Sequence, residues 1–378
     1  MAQPAQTTAR RSARLIVLAV PLLAVLVLAG LGGAGSLRAG ARAERVRGLA
    51  PFTGALTTLV HELQRERSLS AEASAGSSLE PALEGARLTV DRAAADYRDA
   101  AVRVEISDRD RRLHQRLDTG LTQLAGLTAL RASVDDAARA AASAGGAAGP
   151  AASAAVFRRY TQITGGLLAV GGEIGLREAG QDAGLLRAVT AATAFSRAKE
   201  LADREREAAA QAAAGRRLNP AERTRLALLG GRQDALLDQF AALATPEQLA
   251  RYTAALPDAE VERSTNLRRA ALEGAPAQGP APDLDAWSQA TAARVERMRG
   301  VELTLTAEVA RLATLTDRAA DRRTLANAAA FLLAASALVV LLVLAPGRAR
   351  EATDERMQGD AARQTSEERM RGSAARQP

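Results

Sequence analysis

A chain of 378 residues is long enough for one large or two ordinary domains. Its net charge of +7 is carried almost wholly by arginine. With 2% aromatic residues and acids and bases interleaved, the composition argues against nucleic-acid binding. No cysteine is present, so a disulfide framework, a thiolate metal site and a thiol nucleophile are all excluded.

In chain order, the first feature is an apolar run from Leu15 to Leu31 behind a basic start at Arg10, Arg11 and Arg14; its counterpart, Ala326 to Ala345, carries no charge. A helix needs about 20 apolar residues to cross a bilayer core. The spacing therefore predicts membrane spans at 15–34 and 326–345. The first is read as an uncleaved anchor, with a signal peptide cut near residues 39–41 as the alternative. Arginines at 10, 11 and 14, and at 348 and 350, place both termini in the cytoplasm. Residues 1–14 are then a cytoplasmic N-terminus and 35–325 an extracytoplasmic domain. Residues 346–378 are a cytoplasmic tail, and the expected location is the cell membrane, crossed twice.

The outer region reads as helix throughout. Ala, Leu, Arg and Glu dominate it, and no stretch alternates with a period of two. A first helix is predicted from about Leu37 to Ala75, a second from Ser77 to Arg103, and a third from Ser107 to Ala142. Residues 143–150, rich in Gly and Ala, divide the region into halves at about 35–145 and 151–325. The second half begins near Ala151, where Phe157, Tyr160, Ile163, Leu167 and Leu168 recur at helical spacing, and a helix follows from about Ala183 to Ala214. Start signals follow at Asn219-Pro220 and Thr245-Pro246, each a capping residue before a first-turn proline. Gly274 to Pro282 is a loop, and Asp283 opens a helix that runs on toward the second span. From Gly347 to Pro378 there is no Leu, Ile, Val, Phe, Tyr or Trp, which predicts a disordered tail.

Arg65-Glu66-Arg67 recurs as Arg204-Glu205-Arg206. Leu56, Val60, Leu63 and Arg67 follow at steps of four, three and four, so Arg67 continues an apolar stripe. Phe195, Ala202 and Arg206 do the same in the second copy, with Lys199 on that stripe too. Arg65 and Arg204 are displaced from it. A guanidinium on a core stripe must be neutralised. From the residues alone two partners are open: an internal carboxylate (Glu66, Glu205, Glu62 or Glu200) or a small external anion. Arginine suits a planar oxyanion because its fork of donors makes two parallel hydrogen bonds.

His61 and His114 lie far apart with no metal-ligand spacing, and Gly165-Gly166, Gly171-Gly172 and Gly175 do not follow a strand. Neither metal, cofactor nor catalytic activity is expected.

The stretch Leu59-Val-His-Glu-Leu-Gln-Arg-Glu-Arg-Ser-Leu-Ser70 resembles the opening helix of the nitrate- and nitrite-sensing (NIT) domain. Those domains begin with a Leu-Gln-x-Glu-Arg core followed by a small residue, Leu and Ser. Tyr160 with Ile163 and Leu167-Leu168 is similar to the family's middle helix. Lys199 through Ala208 resembles its second Glu-Arg helix, and Trp287 with Val295-Glu296 and Val301-Glu302 its closing helix. The likeness spans about residues 50–315.

The resemblance implies an all-α receptor: two transmembrane helices flanking two extracytoplasmic four-helix bundles. It implies that nitrate or nitrite binds through Arg67 and Arg206, with Arg65 and Arg204 as accessory donors. Family members feed kinase, chemoreceptor, cyclase or RNA-binding modules, and residues 347–378 match none of these. The expected partners are therefore the anion, the membrane, a second copy in a homodimer, and a separately encoded kinase or regulator. The alternatives are a receptor for another small anion on the same scaffold and a non-sensing helical membrane interaction protein.

Overall fold

The computed structural model describes residues 48–74, 80–104, 111–143, 149–180, 182–213, 218–274 and 282–374, and among them every regular element is a helix. Helix α1 covers 48–74, followed by α2 (Glu80–Val102), α3 (Arg111–Ala125), α4 (Leu127–Ser143) and α5 (Gly149–Ala179). The order continues with α6 (Ala183–Ala213), α7 (Pro220–Leu243), α8 (Pro246–Ala255), α9 (Asp258–Glu273) and α10 (Leu284–Ala374). The chain divides into two compact units. One is Arg42–Arg318; the described residues of the other are the Ala319–Ala374 part of α10.

Among the described residues four hydrophobic clusters lie in the first unit, and the two largest join most of its helices. Phe52, Leu56, Leu59, Val60 and Leu63 on α1 are buried against Val90 and Tyr97 of α2, Leu113 and Leu117 of α3, Leu130 and Val134 of α4, and Tyr160, Leu167 and Ile174 of α5. Each such side chain, once buried, contributes about 1.5–3 kcal/mol. The second core joins Phe195 and Ala198 of α6, Phe240 of α7, and Val295, Met298 and Val301 of α10. Phe195, Phe240 and Tyr252 of α8 meet there edge to face, with ring centroids 5.0–6.0 Å apart. The halves expected from sequence met at residues 145–151. The first core nonetheless draws in α5, because the Val156, Tyr160, Ile163 and Leu167 face of that helix is buried there.

Local signals set most boundaries. Asn219 and Thr245 both close capping boxes, with Glu222 and Gln248 reaching back to the cap N–H groups. Asp283 Oδ1 accepts from the N–H of Ala286 at 2.8 Å and starts α10. The predicted single helix over 107–142 is instead two, α3 and α4, parted by a turn at Gly126. The N–H of Gly126 is shared between the carbonyls of Thr122 and Gln123, and a residue without a side chain tolerates that break.

One difference concerns the C-terminal end. The tail expected to be disordered is helical as far as Ala374. It lacks an apolar face, but Ala, Arg, Glu, Gln and Met are strong helix formers, and Glu367 and Arg371 stand at i, i+4. Among the described residues, no helix is long and apolar enough to cross a membrane. The expected span 15–34 lies outside the described residues, and over 326–345 the side chains are described only in part.

Gly171 explains how closely α5 approaches α1: an added Cβ would lie 2.0 Å from Leu56 Cδ2. Gly171→Ala should therefore overpack this contact and cost about 1–3 kcal/mol in urea unfolding. Gly165→Ala, where a Cβ meets nothing within 4 Å, should instead be neutral or stabilising by up to about 1 kcal/mol.

Candidate anion site at the seam of the first and sixth helices

Gln64, Arg67 and Ser68 share one face of α1, and Lys199, Glu200, Asp203 and Arg206 share one face of α6, by steps of three and four. The fold presses these faces together. Arg67 is fully buried. Its Nη1 donates to Glu200 Oε1 at 2.7 Å and to Thr161 Oγ1 of α5 at 2.9 Å. Its Nη2 donates to Glu200 Oε2 at 3.1 Å and to Asp203 Oδ2. The guanidinium also lies 4.5 Å from the centre of the Phe157 ring. Only its Nε, among its polar atoms, lacks a hydrogen-bond partner.

Arg206 reaches the same carboxylate from the other side of the pair. Its Nε donates to Asp203 Oδ1 at 2.9 Å, and its Nη2 donates to Ser68 Oγ on α1. Asp203 is thus held by one arginine on each oxygen. Burial opposes its charge, but Arg67 and Arg206 outweigh burial and hold its carboxyl below the usual range. Burial likewise works against the Arg67 charge, and Glu200 and Asp203 reverse that, raising its pKa above the ordinary arginine value.

The cluster extends to α10. Gln64 donates to Glu200 Oε2 at 2.7 Å and accepts from Lys199 Nζ at 2.6 Å. Lys199, wholly buried, pairs with Glu302 at 3.3 Å, and Arg299 pairs with Glu302 at 3.1 Å and donates to the carbonyl of Thr57 on α1. Arg67, Lys199, Arg206 and Arg299 are thus paired with Glu200, Asp203 and Glu302. Glu72 and Glu207 also act on Arg206 electrostatically.

The structure brings Arg67 and Arg206 together on Asp203; Arg67 is buried as its stripe predicted, whereas Arg206 is half-buried. It separates Arg65 and Arg204 from them: Arg65 is exposed, and Arg204 is half-buried in a neighbouring cleft. Glu66 and Glu205, the carboxylates nearest in sequence, turn elsewhere. Glu66 accepts from Arg131 at 2.7 and 2.9 Å and from the Tyr160 hydroxyl at 2.6 Å, inside the first core. Glu205 accepts from Arg268 at 3.3 Å and the Trp287 indole at 3.4 Å, inside the second half. Gly230 makes room for that contact, since a Cβ there would meet the Arg268 guanidinium at 2.8 Å. Asp203 was missed in the sequence reading. Its signal was present: it lies four residues after Lys199 and three before Arg206, on their shared face.

The sequence matches the nitrate and nitrite sensing family over residues 58–310. The chain belongs to that family. The match covers the whole seam, from Gln64 to Glu302, and the family resemblance expected from the Leu63–Ser70 motif is confirmed. No curated protein matches the chain. Among solved structures, the NasR transcription antiterminator shares the fold at a TM-score of 0.62 and 22% identity, over 78% of this chain and 81% of that one. The family of this chain is one of nitrate and nitrite sensing.

His61 adjoins the seam on α1. Burial first, then Lys199 and Arg299, lower its pKa from 6.5 to about 4, against weaker opposition from Glu302 and Asp203. The unfolded chain takes up this proton near pH 6.5, whereas the folded chain refuses it down to about 4. Its contribution is complete above 6.5 and is lost as pH falls toward 4. Between pH 7.5 and 5 it should remove about 2 kcal/mol of stability. Urea midpoints at both pH values, compared between the native chain and His61→Gln, should show a smaller acid loss in the variant.

Proposed function

We propose that this chain is a two-pass membrane receptor for nitrate or nitrite, which binds between Arg67 and Arg206 in competition with Asp203. The observation that carries the reading is the sharing of one buried carboxylate by both arginines, one on each oxygen. The O–C–O fork of a carboxylate and the O–N–O fork of nitrite or nitrate present similar planar acceptors to guanidinium groups. Asp203 then acts as a tethered stand-in for the ligand.

Exchange of Asp203 for the anion frees a carboxylate beside Glu200, whose other contacts run through Gln64 and Lys199 to Glu302. The position of α10 against α1 and α6 is thereby tied to occupancy. A signal requires that the anion prefer one of two such arrangements. The uncharged run Ala326–Ala345 within α10 is the span toward which the change is carried. A homodimer and a separately encoded kinase or regulator complete the proposed output.

A second reading has an observation of its own. Arg67 is already neutralised by Glu200 and Asp203, as a purely structural ion cluster in an interaction protein would be. Asp203→Asn separates the two. Breaking a buried pair should cost roughly 3–5 kcal/mol in anion-free buffer. Under competitive binding, the variant should then gain a larger nitrate- or nitrite-dependent rise in Tm than the native chain. For the native chain, a hundredfold excess over Kd should add about 2.7 kcal/mol. A variant that loses stability but gains no larger anion response favours the structural cluster. Sulfate and acetate, titrated alongside, test the alternative of a receptor for another anion. Arg206→Gln should weaken nitrate binding roughly 10- to 100-fold in calorimetry, as loss of a charge-assisted hydrogen bond implies.

A further inference from the structure

A cleft of about 140 Å³ opens between α5, α6 and α7, next to the seam but separate from it. Its apolar lining includes Phe157, Leu226 and Leu229, and three guanidinium groups border it: Arg158, Arg204 and Arg225. Arg158 and Arg225 are exposed and Arg204 is half-buried. None of the three forms an ion pair among the described residues.

The two acids in the lining offset only part of this charge. Glu222 accepts from the Asn219 N–H at 2.8 Å as half of the α7 capping box. Glu207 is buried and accepts from the Gln211 amide at 2.7 Å, and burial pushes its carboxyl up, toward the neutral form. Burial first, and then Arg67, Arg225 and Arg232, depress the Arg204 pKa despite Glu200. The cleft thus carries one more basic than acidic group, above an apolar floor.

We propose that this cleft is a second binding site, for a small organic monocarboxylate with an aromatic body. The carboxylate would meet the guanidinium groups and the ring would lie on Phe157, Leu226 and Leu229. A cavity of about 150 Å³ is known to hold benzene, so a single ring fits the volume. Nitrate, with no apolar part, gains nothing from such a floor. The site also touches the seam: the Phe157 ring in its lining is the ring beneath Arg67. An anion here offsets the repulsion between Arg204 and Arg67, so occupancy supports the Arg67 cluster.

Calorimetric titration of the full chain with sodium benzoate, at constant ionic strength, tests the site. Saturable binding is expected, with acetate at least 10-fold weaker because it lacks the ring. The double variant Arg158→Gln/Arg225→Gln, altered only at exposed positions, should bind benzoate at least 10-fold more weakly and leave any nitrate response unchanged. Absence of saturable benzoate binding overturns the proposal. So does equal binding of acetate, or benzoate binding that survives the double variant. Nitrate titration of the same samples reports on the Arg67–Arg206 reading independently.

Discussion

The structure depends on how the buried charge of Arg67 is neutralised. An unpaired guanidinium in a core is so costly that α1 cannot pack without carboxylates on its neighbour. Glu200 and Asp203 meet that requirement from α6, and Thr161 adds an acceptor from α5. The seam between the first and second cores is for this reason polar at its centre, although apolar packing surrounds it. Breaking one partner leaves a charge stranded, so the pairing fixes the register of α1 against α6 as well as holding them together.

The repeated tripeptide takes on a consistent meaning in this light. In each copy the middle glutamate turns away from the seam and binds an arginine and an aromatic donor: Arg131 and Tyr160 for Glu66, Arg268 and Trp287 for Glu205. In each copy the final arginine faces the seam and reaches Asp203. One short motif thus ties a helix to its own bundle through one residue and to the opposite helix through the next. The first arginine of each copy does neither. Arg65 is exposed, and Arg204 borders the cleft.

Much of this was legible beforehand. Helical spacing separated buried Arg67 from exposed Arg65, because a stripe of period 3.6 determines which side chains a helix buries. Arg206 and Arg204 are both half-buried and differ instead in direction, toward Asp203 and toward the cleft. The capping signals at Asn219, Thr245 and Asp283 fixed helix starts to the residue. The partners of Arg67 were legible in part: Glu200 was among the four carboxylates the sequence offered, whereas Asp203 was not. Glu66 and Glu205 are adjacent to the arginines in sequence, yet neighbours on a helix point some 100° apart, so the nearest carboxylates were poor candidates. Glu200 and Asp203 became partners only when α1 and α6 were brought together across 133 and 136 residues. The helical tail escaped the sequence reading because low apolar content was weighed above intrinsic helix propensity.

The most direct test of the account is a crystal structure of the chain grown with nitrate or nitrite. The account predicts the anion within hydrogen-bonding distance of both Arg67 and Arg206, with the Asp203 carboxylate displaced from at least one of them. An Asp203 that still bridges both arginines, while nitrate or nitrite is bound elsewhere on the chain, would contradict it.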